Sequence, residues 1–155
     1  MPRRGPRCLA CIDQAWHLFI DDLDREGKPR KFALFRMLAA TDTRKTFQPD
    51  GPFDFEAALG DSVGVHTGGD KATVELRFKP EVAGYARETF FHKSERFTEE
   101  PDGSLRLQMD VLVNGELEMK VQRWGSKVEV LGPPKLRDKF AVYAREAMAM
   151  YRDTH

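Results

Sequence analysis

The chain has 155 residues, of which 41% are hydrophobic and 32% charged, and its formal net charge is zero. Such a chain can bury a core without disulfides, as one ordinary domain or two very small ones. The balanced charge excludes an overall electrostatic attraction to nucleic acid or to an anionic membrane. Because the apolar runs are short and the two cysteines fit a reducing compartment, we predict a cytoplasmic protein with no membrane span.

The first fifty residues predict a small sheet. Residues 15–20 and 31–38 are aromatic and apolar runs on either side of a polar stretch that contains Gly27 and Pro29, which is typical of paired strands. Residues 7–13 predict a third strand. Three short strands leave an unpaired edge and half of a core.

The next twenty residues predict no strand. Asp54 is placed to cap a short helix that ends at Leu59. Residues 60–71 are rich in glycine and predict a linker.

The pattern changes from residue 72 onward. Residues 72–78 alternate apolar and polar side chains, as a half-buried strand does, and Pro80 then begins a helix with apolar positions up to Phe90. The remaining predicted elements are a hairpin of strands 95–100 and 104–113, a helix from Asn114 to about Trp124, a strand over 127–131 and a helix opened by Pro133 and Pro134. This order predicts an α+β fold with a ferredoxin-like βαββαβ arrangement and an added C-terminal helix.

Two short motifs resemble metal or redox sites but do not complete them. Cys8 and Cys11 have the spacing of a zinc or redox pair, yet no second pair exists, and residues three apart in a strand face opposite ways. Residues 22–27 resemble the start of a calcium loop, but Ala33 stands where a bidentate carboxylate is needed. We interpret the first as small buried residues and the second as a solvated hairpin loop.

No pattern in the sequence indicates catalysis. The four histidines, at positions 17, 66, 92 and 155, have no paired carboxylate or metal spacing. The serines form no nucleophile elbow, and the glycines form no phosphate loop or dinucleotide fingerprint. We therefore predict no enzymatic activity, no catalytic residue, no metal and no cofactor.

Basic and aromatic residues on the first sheet form the one candidate binding site. Aromatic rings can stack on bases, and arginine can fork onto phosphate, so the mixture fits a nucleic acid or nucleotide ligand. The alternative is that Trp16 and Phe32 belong to the core and the cations form a solvated rim. The candidate residues are Trp16, His17, Arg30, Lys31 and Arg36.

Several segments resemble, in order and spacing, the WYL-domain transcription regulators of bacteria. Trp16-His17-Leu18 resembles the Trp-Tyr-Leu motif of that family, and Arg30-Lys-Phe-Ala-Leu-Phe-Arg36-Met is similar to its Arg-Thr-Phe-Arg-Leu-Asp-Arg-Ile strand. Downstream, the segments that begin at Phe53, Val74 and Val128 are similar to the linker and C-terminal extension of those regulators. The resemblance covers nearly the whole chain.

The resemblance implies both an architecture and a role. Such regulators carry a DNA-binding winged helix-turn-helix, a WYL domain with an Sm-like small β-barrel, and a ferredoxin-like extension. The resemblance also implies that the WYL domain senses a nucleic acid or nucleotide-type effector, and that the extension contributes to a homodimer and closes the ligand site. No helix pair precedes Arg7, so the chain resembles the C-terminal portion of such a regulator.

The chain departs from the family motif at three positions. His17 replaces tyrosine, Ala33 replaces the first motif arginine and Phe35 replaces aspartate. The loss of one forked cation implies weaker affinity for phosphate.

The resemblance gives three predicted regions. Residues 1–50 are a partial WYL β-barrel, 51–71 a linker with a short helix, and 72–152 the ferredoxin-like extension. The predicted function is the ligand-sensing and dimerisation portion of a WYL-type transcriptional regulator. The alternative is a purely structural or protein-interaction module with no small ligand.

Overall fold

The computed structural model describes residues 4–22, 28–42, 44–49 and 51–152, and divides the chain into two compact units, Met1–Gly60 and Asp61–His155. The mixed α+β architecture has one antiparallel sheet in each unit. Most of the segment that resembles a calcium loop lies outside the described residues.

The sheet of the first unit has three antiparallel strands in chain order. They are β1 (Arg4–Ile12), β2 (Ala15–Asp22) and β3 (Lys28–Ala33). Asp13 and Gln14 both have positive φ, 47° and 65°, which gives the two-residue turn whose twist matches that of the flanking strands. All three predicted strands are present.

The third strand is shorter at its C-terminal end than the sequence predicts. We expected a strand over 31–38, but β3 begins at Lys28, inside the predicted connecting stretch, and ends at Ala33, where a 3-10 turn, Leu34–Arg36, follows. Ala33 is paired with His17, and in this register only Trp16 and Ala15 of β2 lie further along, so a strand continued to Leu38 would run past the end of β2. A strand needs a partner for its backbone groups, so apolar composition alone does not extend it.

The first core lies on the Phe19 side of this sheet. Phe19 is fully buried, and its ring centroid lies 5.7 Å from that of Phe53 and 5.2 Å from that of Phe55. Phe55 begins helix α1 (Phe55–Leu59), whose N-terminus is capped by the Asp54 carboxylate, which accepts the Ala57 N–H at 2.9 Å. The predicted cap and helix are confirmed.

The second unit has four strands in the order β5-β6-β4-β7, and all neighbours are antiparallel. The strands are β4 (Asp70–Phe78), β5 (Arg96–Glu99), β6 (Leu105–Val113) and β7 (Val128–Gly132), and the helices are α2 (Ala83–Glu88), α3 (Gly115–Gln122) and α4 (Pro134–Met150). The predicted sequence of strand, helix, hairpin, helix, strand and helix is present. The alternating side chains Val74, Leu76 and Phe78 are all fully buried, as predicted.

One predicted core position in the second unit is wrong. Phe90 was expected on the apolar face of the helix after Pro80, but its side chain is 67% exposed, and Phe91 is buried instead. Helix α2 ends at Glu88 and Thr89 is extended, so the helical spacing no longer applies to Phe90. Phe91 then packs against Phe78, with ring centroids 5.7 Å apart.

The segment 61–69 contains no helix or strand, yet side chains of the second unit hold its backbone. The Glu116 carboxylate accepts the N–H groups of Val65 at 3.1 Å and His66 at 2.8 Å. Asn114 caps α3 by accepting from Glu116 and Leu117, and its amide donates to the carbonyls of His66 and Gly68. Residues 114 and 116 therefore fix this segment before β4 begins.

Candidate functional site

The strand register separates the five predicted binding residues. Neighbouring residues of a strand face opposite ways, and directly paired residues share a face. Arg30 is paired with Ile20 and Lys31 with Phe19. Trp16 and Arg30 therefore lie on one face of the first sheet, whereas His17 and Lys31 lie on the other.

The first of these faces, which we name the Trp16 face, carries both apolar and polar side chains and has exposed apolar area. Trp16 is 51% exposed and Leu9 is 52% exposed. The guanidinium carbon of Arg30 lies 5.3 Å from the ring centroid of Phe32, within the range of a cation–π contact. The face carries Leu9, Cys11, Trp16, Leu18, Ile20, Arg30 and Phe32, and Ile20, which is paired with Arg30, is buried at 3% exposure.

The opposite face is packed. His17 is only 8% exposed, and its Nδ1 lies 3.0 Å from the carbonyl oxygen of Ala15, to which it donates a hydrogen bond. Lys31 is half-buried, with its ammonium 5.8 Å from the ring centroid of the buried Phe19. His17 therefore belongs to the interior of this unit and points away from Trp16, although we predicted both in one site; strand alternation is the signal that could have separated them.

Arg36 lies beyond the strands, in the 3-10 turn. Its guanidinium carbon lies 5.5 Å from the ring centroid of Phe35, which is 71% exposed. Leu38 is fully exposed two residues further on. This side of the turn presents apolar area together with one cation.

The two cysteines lie on opposite faces, as the strand pattern predicts. Cys8 is paired with Phe19 and Cys11 with Trp16, and both thiols are free. Cys8 is only half-buried and Cys11 is exposed, so the interpretation of both as buried residues is wrong. In the part of the chain that the structure describes, no cluster of three or more histidine, cysteine, aspartate or glutamate side chains is arranged to hold a metal ion.

The open face of the second sheet, which carries the polar residues of β4 to β7, is a network of ion pairs. Arg77 pairs with Glu129 at 2.6 Å, and Arg96 pairs with Asp110 at 3.2 Å. The hydrogen bond that Arg77 donates to the Glu129 carboxylate raises the pKa of Arg77. Among the described strands, no aromatic residue lies on this face, so it lacks the rings on which bases would stack.

Neither the interior nor the surface cleft of the second unit gathers catalytic groups. His92 is buried, and its Nδ1 accepts the N–H of Ser94, whereas its Nε2 has no hydrogen-bond partner among the described residues. A shallow cleft at the end of β4 has Lys79 and Arg77 on its wall, with carboxylates beside them. One of those carboxylates, Asp102, is already bonded to Ser104, and this hydrogen bond lowers the pKa of Asp102.

These features define a two-unit α+β chain whose described residues offer surfaces for binding and no convergent catalytic cluster. Residues 70–148 match the family model of the WCX domain, and the chain belongs to the WCX-domain family, which is found in WYL-associated regulators. The WYL-type resemblance is thereby supported at the level of the family. No described helix is long and apolar enough to cross a membrane.

The chain is similar to the proteasome accessory factor B/C (PafBC) of Arthrobacter aurescens, with 24% identity and a TM-score of 0.45 over 96% of this chain and 22% of that chain. The chain therefore spans about a fifth of the length of that structure. No curated protein matches the chain.

Proposed function

We propose that this chain is the non-catalytic, ligand-sensing and dimerisation portion of a cytoplasmic WYL-type transcriptional regulator. Membership of the WCX family supports a regulatory role. We assign the first unit to a partial Sm-like barrel. We assign the second unit to a ferredoxin-like extension, and the order β5-β6-β4-β7 with antiparallel neighbours supports this, because a split βαβ topology produces the same order.

The ligand in this proposal is a single-stranded nucleic acid or a nucleotide-type effector bound on the Trp16 face. The observation that carries it is the half-exposed Trp16 ring on the same sheet face as Arg30. An exposed indole offers a surface for stacking a base, and a guanidinium held over Phe32 offers donors to a phosphate. Arg36, exposed after the strand, would add a second cation.

The test is binding of a fluorescein-labelled 12-nucleotide poly-dT strand, followed by anisotropy at two salt concentrations. We expect Trp16→Ala to weaken binding by about 5- to 150-fold, since stacking of one base contributes about 1–3 kcal/mol. Arg30→Ala and Arg36→Ala should each reduce the salt dependence by about 0.7 in the slope of log K against log salt. A cyclic mononucleotide in competition distinguishes a nucleotide effector from a strand.

Matched controls separate the Trp16 face from general charge. Lys31→Ala removes a cation from the adjacent position of the same strand but from the opposite face, and Arg123→Ala removes an exposed cation from the second unit. Both should leave the affinity within about twofold, because neither group lies on the stacking face. Equal losses in Lys31→Ala and Arg30→Ala, or binding that does not depend on salt, would disprove this ligand site.

The second candidate is a structural or protein-interaction module with no small ligand. It is favoured by the exposed apolar side chains after β3, of which Phe35 is 71% and Met37 41% exposed. In that case no oligonucleotide or nucleotide binds in the preceding experiment, and Phe35→Asp alters self-association or partner binding while Trp16→Ala does not.

A further inference from the structure

The cleft at the C-terminal end of β4 has a volume of about 190 Å³ and belongs wholly to the second unit. Its walls come from the end of β4, the turn between β5 and β6, and the 3-10 turn Gly125–Lys127 with the start of β7. Pockets for drug-sized ligands have roughly 300–1,000 Å³, so this cleft fits a smaller molecule. Its polar lining consists of Arg77, Lys79, Asp102, Ser104, Ser126 and Glu129.

Three donors of this lining have hydrogen-bonding capacity that the described residues do not use. The Lys79 ammonium and the Ser126 hydroxyl make no hydrogen bond or ion pair with any described residue. Arg77 donates to Glu129 at 2.6 Å through Nη2 alone, which leaves most of its five N–H groups available. All three side chains are exposed, so a ligand can reach them from solvent.

The two carboxylates of the lining differ in how far they are engaged. Glu129 uses both oxygens: Oε2 accepts from Arg77, and Oε1 lies 3.6 Å from the guanidinium of Arg137. Asp102 uses one oxygen, because Oδ1 accepts both the N–H and the hydroxyl of Ser104, at 2.9 Å and 2.6 Å. Its Oδ2 accepts no hydrogen bond from another described residue, and is therefore the acceptor that remains for a cationic group.

We propose that this cleft binds a small zwitterion of the α-amino acid class. The ligand carboxylate accepts from Lys79 and Ser126, and the ligand ammonium donates to Oδ2 of Asp102. Pro80 and Val128 also line the cleft and offer apolar contact to a short aliphatic side chain. The site is separate from the Trp16 face, so it is a second ligand site and does not depend on the proposed function.

The charges of the lining favour a dipolar ligand over a simple anion or cation. The two cations, Arg77 and Lys79, balance the two carboxylates, Asp102 and Glu129. A simple anion would meet the carboxylates and a simple cation would meet Arg77 and Lys79, whereas a zwitterion places each of its groups opposite a counter-charge. Because the charged groups are exposed, each contact is weak, and we expect a dissociation constant of about a millimolar.

The first test compares three ligands on the full chain by nuclear magnetic resonance. L-Valine should cause saturable shifts of the amide signals of Lys79, Gly103 and Ser126. N-acetyl-L-valine lacks the ammonium group and L-valinamide lacks the carboxylate, so each should bind at least about fivefold more weakly. No saturable shift at about 50 mM L-valine, or equal affinities for the three compounds, overturns the proposal.

The second test uses a matched pair of lysine variants. Lys79→Met should weaken L-valine binding by at least about fivefold, since it removes a donor to the carboxylate. Lys71→Met is the control, because Lys71 lies at the other end of β4 and pairs with Asp61, outside the cleft. It should change the affinity by less than about twofold. Amide signals of the buried core show that both variants are folded, and equal affinities in the two folded variants contradict the assigned role of Lys79.

Discussion

Arg7 is a nearly buried cation that is neutralised inside the first unit. It occupies an irregularity of β1 between Pro6 and Cys8, where a bulge re-aims a side chain. Its guanidinium pairs with Asp21 at 2.7 Å and donates to the carbonyl of Gly51 at 2.9 Å, and the side chain is only 6% exposed. The pair connects β1, β2 and the segment before α1.

Arg7→Ala should therefore destabilise the first unit more than an exposed arginine would. Removing one partner of a buried pair costs about 3–5 kcal/mol, because Asp21 is left without its counter-charge. Arg96→Ala is the control, since Arg96 is 64% exposed in its pair with Asp110 and should cost less than about 1 kcal/mol.

Hydrogen exchange of the β2 amides measures the difference between these two variants. Arg7→Ala should accelerate exchange of these amides by more than about a hundredfold, which corresponds to about 3 kcal/mol. Exchange in Arg7→Ala as slow as in Arg96→Ala would show that the buried pair does not hold the sheet.

At the level of elements, the sequence correctly predicted the features that depend on a local residue pattern. Alternation placed Val74 and Leu76 in the core, and the side chains of Asp54 and Asn114 identified the starts of α1 and α3. These features depend on neighbours within a few residues, so a single sequence contains them.

The predictions that failed concern where an element ends. Residues 34–38 are as apolar as a strand, but β3 turns at Leu34 and β2 ends two residues beyond its last pair with β3. Phe90 does not follow the helical spacing because α2 ends at Glu88. For the candidate site, the sequence predicts which residue types are present, but it predicts only in part which face of the sheet each of them occupies. Strand alternation alone predicts that Trp16 and His17 lie on opposite faces. To predict that Arg30 shares a face with Trp16, the register of β3 on β2 must be known.

Two adjacent glycines, Gly68 and Gly69, end the 61–69 segment directly before β4. Gly69 has φ of 113°, and a Cβ there would lie 2.4 Å from the carbonyl oxygen of Val113, whereas a Cβ on Gly68 would have no atom within 4 Å. Gly69→Ala should lower the free energy of unfolding by about 1–3 kcal/mol through strain. Gly68→Ala should change it by less than about 1 kcal/mol.

Urea denaturation followed by circular dichroism compares the two variants. A midpoint for Gly69→Ala equal to that of Gly68→Ala would mean that the backbone at this junction relaxes freely. A lower midpoint for Gly69→Ala alone supports a junction fixed by Asn114 and Glu116.

At the scale of the whole molecule, several carboxylates of the second unit accept hydrogen bonds that favour their ionised form. A hydrogen bond from Arg106 lowers the pKa of Glu100, one from Ser104 lowers the pKa of Asp102, and one from Lys71 lowers the pKa of Asp61. A lowered pKa means that the unfolded chain binds protons at a higher pH than the folded chain does. Stability therefore rises with pH through this range.

The contribution of these carboxylates is complete above their ordinary values of 3.8 for Asp61 and Asp102 and 4.5 for Glu100, and is lost as pH falls through the lower folded values. The pKa of Lys71 is raised from its ordinary 10.5, so its contribution is complete below that value, is lost only in alkaline solution and adds no slope between pH 7 and pH 3. Thermal unfolding from pH 7 to pH 3 should therefore show a melting temperature that is flat to about pH 5 and then falls.

Glu100→Gln should reduce the slope below pH 5, since the glutamine does not titrate, whereas Glu88→Gln, at an exposed position, should leave the slope unchanged. A melting temperature that rises on acidification, or equal slopes in both variants, would assign the acid sensitivity to groups other than these paired carboxylates.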